Sequence, residues 1–185
     1  LRQRWSEVIE YGERIGDRAD IATLGLIGDA HEELGDVALA ARYHDEAEAA
    51  GQESPEPYNR QWTLFQLEHG RNLSLTLDLL QREIEGRVDV YGYDQLAWAL
   101  YKSGRHLEAR AMMEAALRMG TQDAMLMYHA GMVERALGNA AGAERYLGRA
   151  LALNRHFHHR DAVVARAVLD SLARSASAAT SPARP

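Results

Sequence analysis

Cysteine is absent from the 185 residues, which rules out a disulfide framework and any thiolate zinc site. No run of about 18 apolar residues occurs, so the sequence offers no membrane-spanning helix. A secretory signal is missing too. The chain opens on Leu1 and is expected to be a truncated or processed product, which leaves its compartment unassigned. A basic charge balance is also lacking. With 21 Lys and Arg against 27 Asp and Glu, the net charge is −6, the opposite of a nucleic-acid binder's usual balance. Gly-rich phosphate loops, a Gly-x-Ser-x-Gly elbow and a His-Glu-x-x-His helix are not found. The residues point to no enzyme, no catalytic residue and no cofactor. Proline is scarce, at 4 residues, and two of those four bracket Glu56 in a single stretch that breaks structure.

What is present is a ruler. Gly35, Gly70, Gly104 and Gly138 follow one another at intervals of 35, 34 and 34 residues. Five residues after the first, third and fourth of them come Ala40, Ala109 and Ala143, and twelve after come Ala47, Ala116 and Ala150. Nine after the last two sit larger apolar residues, Met113 and Leu147. Seven before Gly104 and Gly138 stand Ala97 and Gly131, and eleven before stand Tyr93 and Met127. Small and large residues thus recur at fixed places on two short helices joined by a turn. A period of this size marks a stacked array in which no unit buries its apolar face alone.

In these residues the chain resembles the tetratricopeptide repeat (TPR), in the manner of a bacterial TPR protein. Its first unit carries Leu24, Ile27, Gly28, Ala40 and Ala47 at matching positions. The second unit diverges, with Asn59, Trp62, Thr63, Leu75 and Arg82 where small or apolar residues are usual. The family's terminal proline is missing throughout. The expectation is an all-α, right-handed α-solenoid of antiparallel helix pairs, with about ten helices forming a single domain over residues 1–174. Within it, 1–15 is an N-terminal helix or half repeat, repeats occupy 21–55, 56–89, 90–123 and 124–157, and a capping helix occupies 159–174. Residues 175–185 are too poor in apolar side chains to fold and are expected to be disordered.

The resemblance implies that the first helix of each pair lines a concave groove. By register this assigns Asp29, Glu32, Arg60, Leu64, Tyr91, Asp94, Trp98, Tyr101, Tyr128, Met132 and Arg135 to a partner-binding surface. That surface starts acidic and becomes aromatic and methionine-rich, the residue types enriched at interfaces. It suits a peptide or amphipathic helix with apolar anchors. Each aromatic could equally fill space between neighbouring helices. The function expected is a non-catalytic protein-interaction scaffold, with no nucleic acid and no membrane insertion. The alternative is a structural fragment of a longer solenoid that self-assembles, in a homodimer through the N-terminal end around Trp5 and Ile9. A less favoured reading gives His156, His158 and His159 a metal, although the only carboxylate near them in sequence is Asp161. No metal site is assigned, and His31, His44, His69, His106 and His129 are read as core-edge or surface histidines.

Overall fold

The structure is a computed structural model that describes residues 4–53, 59–86 and 88–180. Among the described residues there are ten α-helices, one 3-10 turn and no strand. In order they are α1 (Trp5–Ile15), α2 (Ile21–Glu33), α3 (Val37–Gln52), α4 (Arg60–His69) and α5 (Leu73–Gly86). Then come α6 (Val90–Lys102), α7 (His106–Leu117), α8 (Ala124–Ala136), α9 (Ala140–Leu153) and α10 (Asp161–Thr180). No helix among these residues is long and apolar enough to cross a membrane.

The ruler glycines end first helices for a physical reason. Gly35, Gly70, Gly104 and Gly138 have φ of 88°, 64°, 76° and 78°, the left-handed region that an L side chain rarely adopts. First helices then start on side-chain caps. Asp20, Asn59, Asp89 and Asp123 accept from the amides of Thr23, Trp62, Gly92 and Leu126 at 2.8, 3.1, 2.9 and 2.9 Å. Asp36 stands at the N-cap position of α3, but its side chain makes no capping bond and lies 3.6 Å from His31.

Contacts divide the chain into two compact units, residues 1–83 and 84–185, where register alone suggests one array. In the first unit α2 packs on α3, and α4 touches both. Its core joins Ile21, Ala47, Trp62 and Phe65, flanked by Leu24 and Leu79. Helix α1 seats on α2 at Gly12, where a Cβ would come within 2.3 Å of Ile27. On α1, Trp5 is buried and Ile15 is exposed.

The second unit repeats the pattern with α6 on α7, α8 on both, α9 on α8, and α10 on α9. Ala97, Met113, Ala116, Leu126 and Ala130 form its core. The repeat alanines Ala47, Ala109, Ala116, Ala143 and Ala150 are all 0% exposed, which is why the register tolerates nothing larger there. Helix α10 runs past the expected end near Arg174 to Thr180. Alanine favours helix in this segment, and the hydroxyls of Ser175 and Ser177 return to the carbonyls of Ser171 and Ala173 at 3.0 and 2.9 Å. Part of the tail expected to be disordered is therefore helical. Residues 181–185 lie outside the described residues, as does much of the proline-bracketed loop at 54–58.

Candidate functional site

The second unit gathers most of the aromatic residues predicted for the groove. Trp98 on α6 stacks on Tyr101 one turn away, centroids 4.6 Å apart and planes 5° apart. On α8, His129 stacks on the same indole at 4.2 Å and 19°, and Tyr128 approaches it at 5.8 Å. Lys102 Nζ lies 5.2 Å from the indole centroid, in cation–π range. Phe157, from the loop before α10, continues the series at 5.4 Å from Tyr128. The result is a stacked aromatic layer across two first helices.

Polar groups lock this layer. His129 Nδ1 and Asp94 Oδ1 are 2.8 Å apart and buried, so the imidazole is oriented under Trp98. Asp161, at the start of α10, lies 3.1 Å from His158 Nδ1. Burial pushes the Asp161 carboxyl up, but the hydrogen bond and charge of His158, with help from His129 and Tyr128, outweigh it and hold the group below the usual range. Burial, and then the Asp161 charge, drive the Tyr128 phenol far above its ordinary value. Burial likewise raises Tyr101, opposed by the Arg135 charge.

Exposure divides the predicted residues. Asp94, Trp98, Tyr128 and Met132 are only 6%, 5%, 3% and 7% exposed, so they act as packing in this unit. Tyr91 is 50% exposed, Tyr101 is half-buried and Arg135 is exposed. These three are the members of the set here that a partner could reach.

In the first unit, Glu32 is exposed and Leu64 half-buried. Arg60 is engaged with Glu83, its Nε 2.7 Å from Oε1 of a carboxylate that is 2% exposed. Asp29 is 5% exposed and meets two imidazoles: its Oδ1 lies 3.1 Å from His69 Nε2 and 3.4 Å from His44 Nε2. Sequence reasoning assigned His44 and His69 no site. A signal was available. In the repeat register His44 occupies the bulky apolar position held by Leu79, Met113 and Leu147, and Asp29 the position of Leu64, Trp98 and Met132. Among the described residues, this trio is the one group of three or more His and carboxylate side chains with mutually close ligand atoms; His156, His158 and His159 do not form one.

No protein-family model and no curated protein matches the chain in sequence. Solved structures do match in fold. A thermophilic TPR protein of Thermus thermophilus, TTC0263, is 22% identical, with a TM-score of 0.56 over 84% of this chain and 82% of that one. This chain has the TPR fold. Lower similarities accompany it. A tetratricopeptide repeat protein from Parabacteroides merdae is 17% identical, with a TM-score of 0.49 and coverage of 95% and 62%. The TPR2AB domain of yeast Sti1, in its complex with pHSP90, is 19% identical, with a TM-score of 0.47 and coverage of 94% and 76%. The assignment rests on the Thermus protein, and it places the present α-solenoid among helix-pair repeats of the expected kind, as the caps, glycines and alanines require.

Proposed function

We propose that this TPR chain is a non-catalytic protein-interaction scaffold that takes a peptide or helix of a partner on the first-helix face of its second unit. The observation that carries the reading is the accessible trio around the stacked layer: Tyr91 half exposed, Tyr101 partly so, and the exposed guanidinium of Arg135. Tyr and Arg supply much of the energy of protein interfaces, because Tyr brings large contact area with few rotors to freeze and Arg brings several donors in a planar fork. Here Tyr101 rests on Trp98, which is itself stacked on His129 and met by Tyr128, so little of the freedom of Tyr101 remains to be lost on binding. Apolar anchors of an extended or helical segment would sit on the tyrosines, and an acidic group of the ligand would meet Arg135. Glu32 in the first unit is exposed and would repel an acidic segment there.

The test is a peptide-display selection on the full chain, followed by anisotropy titration of the selected peptide. A variant carrying Tyr91→Ser, Tyr101→Ala and Arg135→Ala should bind at least about tenfold more weakly with unchanged far-UV circular dichroism, a loss of about 1.4 kcal/mol or more. Equal affinity in the still-folded variant would remove this face from the reading. Trp98 is left intact in that variant, because its loss would report on packing.

A further inference from the structure

In the first unit, three helices aim ligand-type atoms at one point. Asp29 comes from α2, His44 from α3 and His69 from the last residue of α4, and their ligand atoms all lie within 4.8 Å of one another. The imidazole planes are tilted by 55° with centroids 4.4 Å apart, so both rings present edges to the carboxylate.

Hydrogen bonding fixes what those edges carry. His69 Nδ1 lies 2.9 Å from the carbonyl oxygen of Phe65. A carbonyl only accepts, so Nδ1 carries a proton and the Nε2 edge is turned towards Asp29 Oδ1 at 3.1 Å. At that separation the nitrogen and the carboxylate oxygen need a cation between them, either a proton on Nε2 or a metal ion. The backbone carbonyl thereby acts as the outer partner that sets tautomer and ring orientation in histidine metal sites. His44 Nε2 points at the same Oδ1 from 3.4 Å, is buried, and has no hydrogen-bond partner. His44 as a whole is 8% exposed. Gly28 makes room for it: a Cβ there would come within 2.3 and 2.4 Å of His44 Cδ2 and Nε2.

The repeat register does not call for a carboxylate or imidazole at Asp29 or His44: the other repeats hold Leu64, Trp98 and Met132 at the first position and Leu79, Met113 and Leu147 at the second. The two separations to Asp29 Oδ1 fit a bound ion. With ligand bonds of about 2.0–2.1 Å, the atoms around a tetrahedral centre stand roughly 3.3–3.4 Å apart, against 3.1 and 3.4 Å observed. Two imidazoles and one carboxylate suit a borderline divalent transition metal, and are too rich in nitrogen for Mg2+ or Ca2+.

We infer that Asp29, His44 and His69 form a binding site for a divalent transition metal of the Zn2+ class, which clamps α2, α3 and α4 together and leaves one coordination position for water. The site lies within the first unit and does not rest on the proposed partner binding by the second.

The test uses the untagged full chain, stripped with a chelator and titrated with ZnCl2 by calorimetry and with CoCl2 by visible absorption. One equivalent of Zn2+ should bind, the melting temperature should rise with Zn2+ concentration, and Co2+ should develop the intense d–d bands of a four-coordinate site. His44→Leu restores the side chain that Leu79 and Leu147 occupy in other repeats, so it should fold and yet bind Zn2+ at least a hundredfold more weakly. The triple variant His156→Ala, His158→Ala, His159→Ala should bind as the unaltered chain does. Retained affinity in His44→Leu, or binding lost only in the triple variant, would overturn the assignment. So would failure of the unaltered chain to take up metal saturably, since a proton on His69 would then be the cation that Asp29 faces.

Discussion

Gly131→Ala isolates the steric logic of the repeat. On α8 a Cβ at position 131 would stand 2.6 and 2.7 Å from Leu147 Cγ and Cδ2, and 3.1 Å from the Leu147 backbone nitrogen on α9. Leu147 is 0% exposed and has no open space to turn into. Rotating its side chain would still leave the backbone contact, so α8 and α9 must also part by a few tenths of an ångström. Overpacking costs about 1–3 kcal/mol, and a clash that includes backbone belongs in the upper part of that range, about 2–3 kcal/mol, while replacing a mid-helix glycine by alanine returns about 1 kcal/mol. The net expectation is a loss of about 1–2 kcal/mol, or very roughly 2–8 °C for a chain of this size. The preceding repeat shows a working alternative, with Ala97 and Met113 together in the core at the equivalent positions. Adding Leu147→Met, which removes the branch at Cγ, should therefore recover about 1 kcal/mol relative to the sum of the single changes. Urea unfolding followed by far-UV circular dichroism gives the midpoints, provided the slope stays constant. A Gly131→Ala protein as stable as the original, or a double variant with no positive coupling, would show that the helices yield freely and that the register is not set by this contact.

Three further outcomes follow from the same packing. Trp98→Ala should lower stability by about 3–5 kcal/mol in denaturant titration, because the indole is stacked on Tyr101 and His129 and leaves a large void. Arg60→Ala strands the carboxylate of Glu83, which is 2% exposed, and should cost about 3 kcal/mol, near the low end for breaking a buried pair because Arg60 itself is partly exposed. Asp161→Asn should cost about 1.5–3 kcal/mol near neutral pH, with a definite pH signature. The folded-state pKa is depressed, so the contribution is fully present above the unfolded value of about 4 and fades as pH falls through the lower folded value. Melting curves of the two proteins should be separated from pH 7 to 5 and converge below about pH 4; a gap that persisted to pH 2 would remove the ionised carboxylate from the account.

Helix ends were legible because their causes are local. A glycine forced to positive φ, and an Asp or Asn whose oxygen reaches an amide three residues on, need no distant partner. Helices α2, α4, α6 and α8 consequently end one or two residues before the ruler glycines. The failures are equally physical. Asp36 sits where a cap belongs, yet its side chain lies against His31. The end of α10 depended on alanines and back-bonded hydroxyls in a segment whose low apolar content suggested a disordered coil.

Groove membership was legible only as a direction along each helix. Spacing identifies which residues share a face, but exposure depends on what packs over that face. Phe157 lies against Tyr128, and Asp161 bonds to it. Such contacts are part of why Tyr128 is covered while Tyr91 and Arg135 stay open.

The sequence by itself determined the helix pairs, their period and their small-residue seams, since each rests on the steric demands of residues a few positions apart. The meeting of Asp29, His44 and His69 was decided by tertiary structure alone. They lie 15 and 25 residues apart in the chain, on helices of two successive repeats. Only the packing of α4 against α2 and α3 brings two imidazole edges onto one carboxylate oxygen.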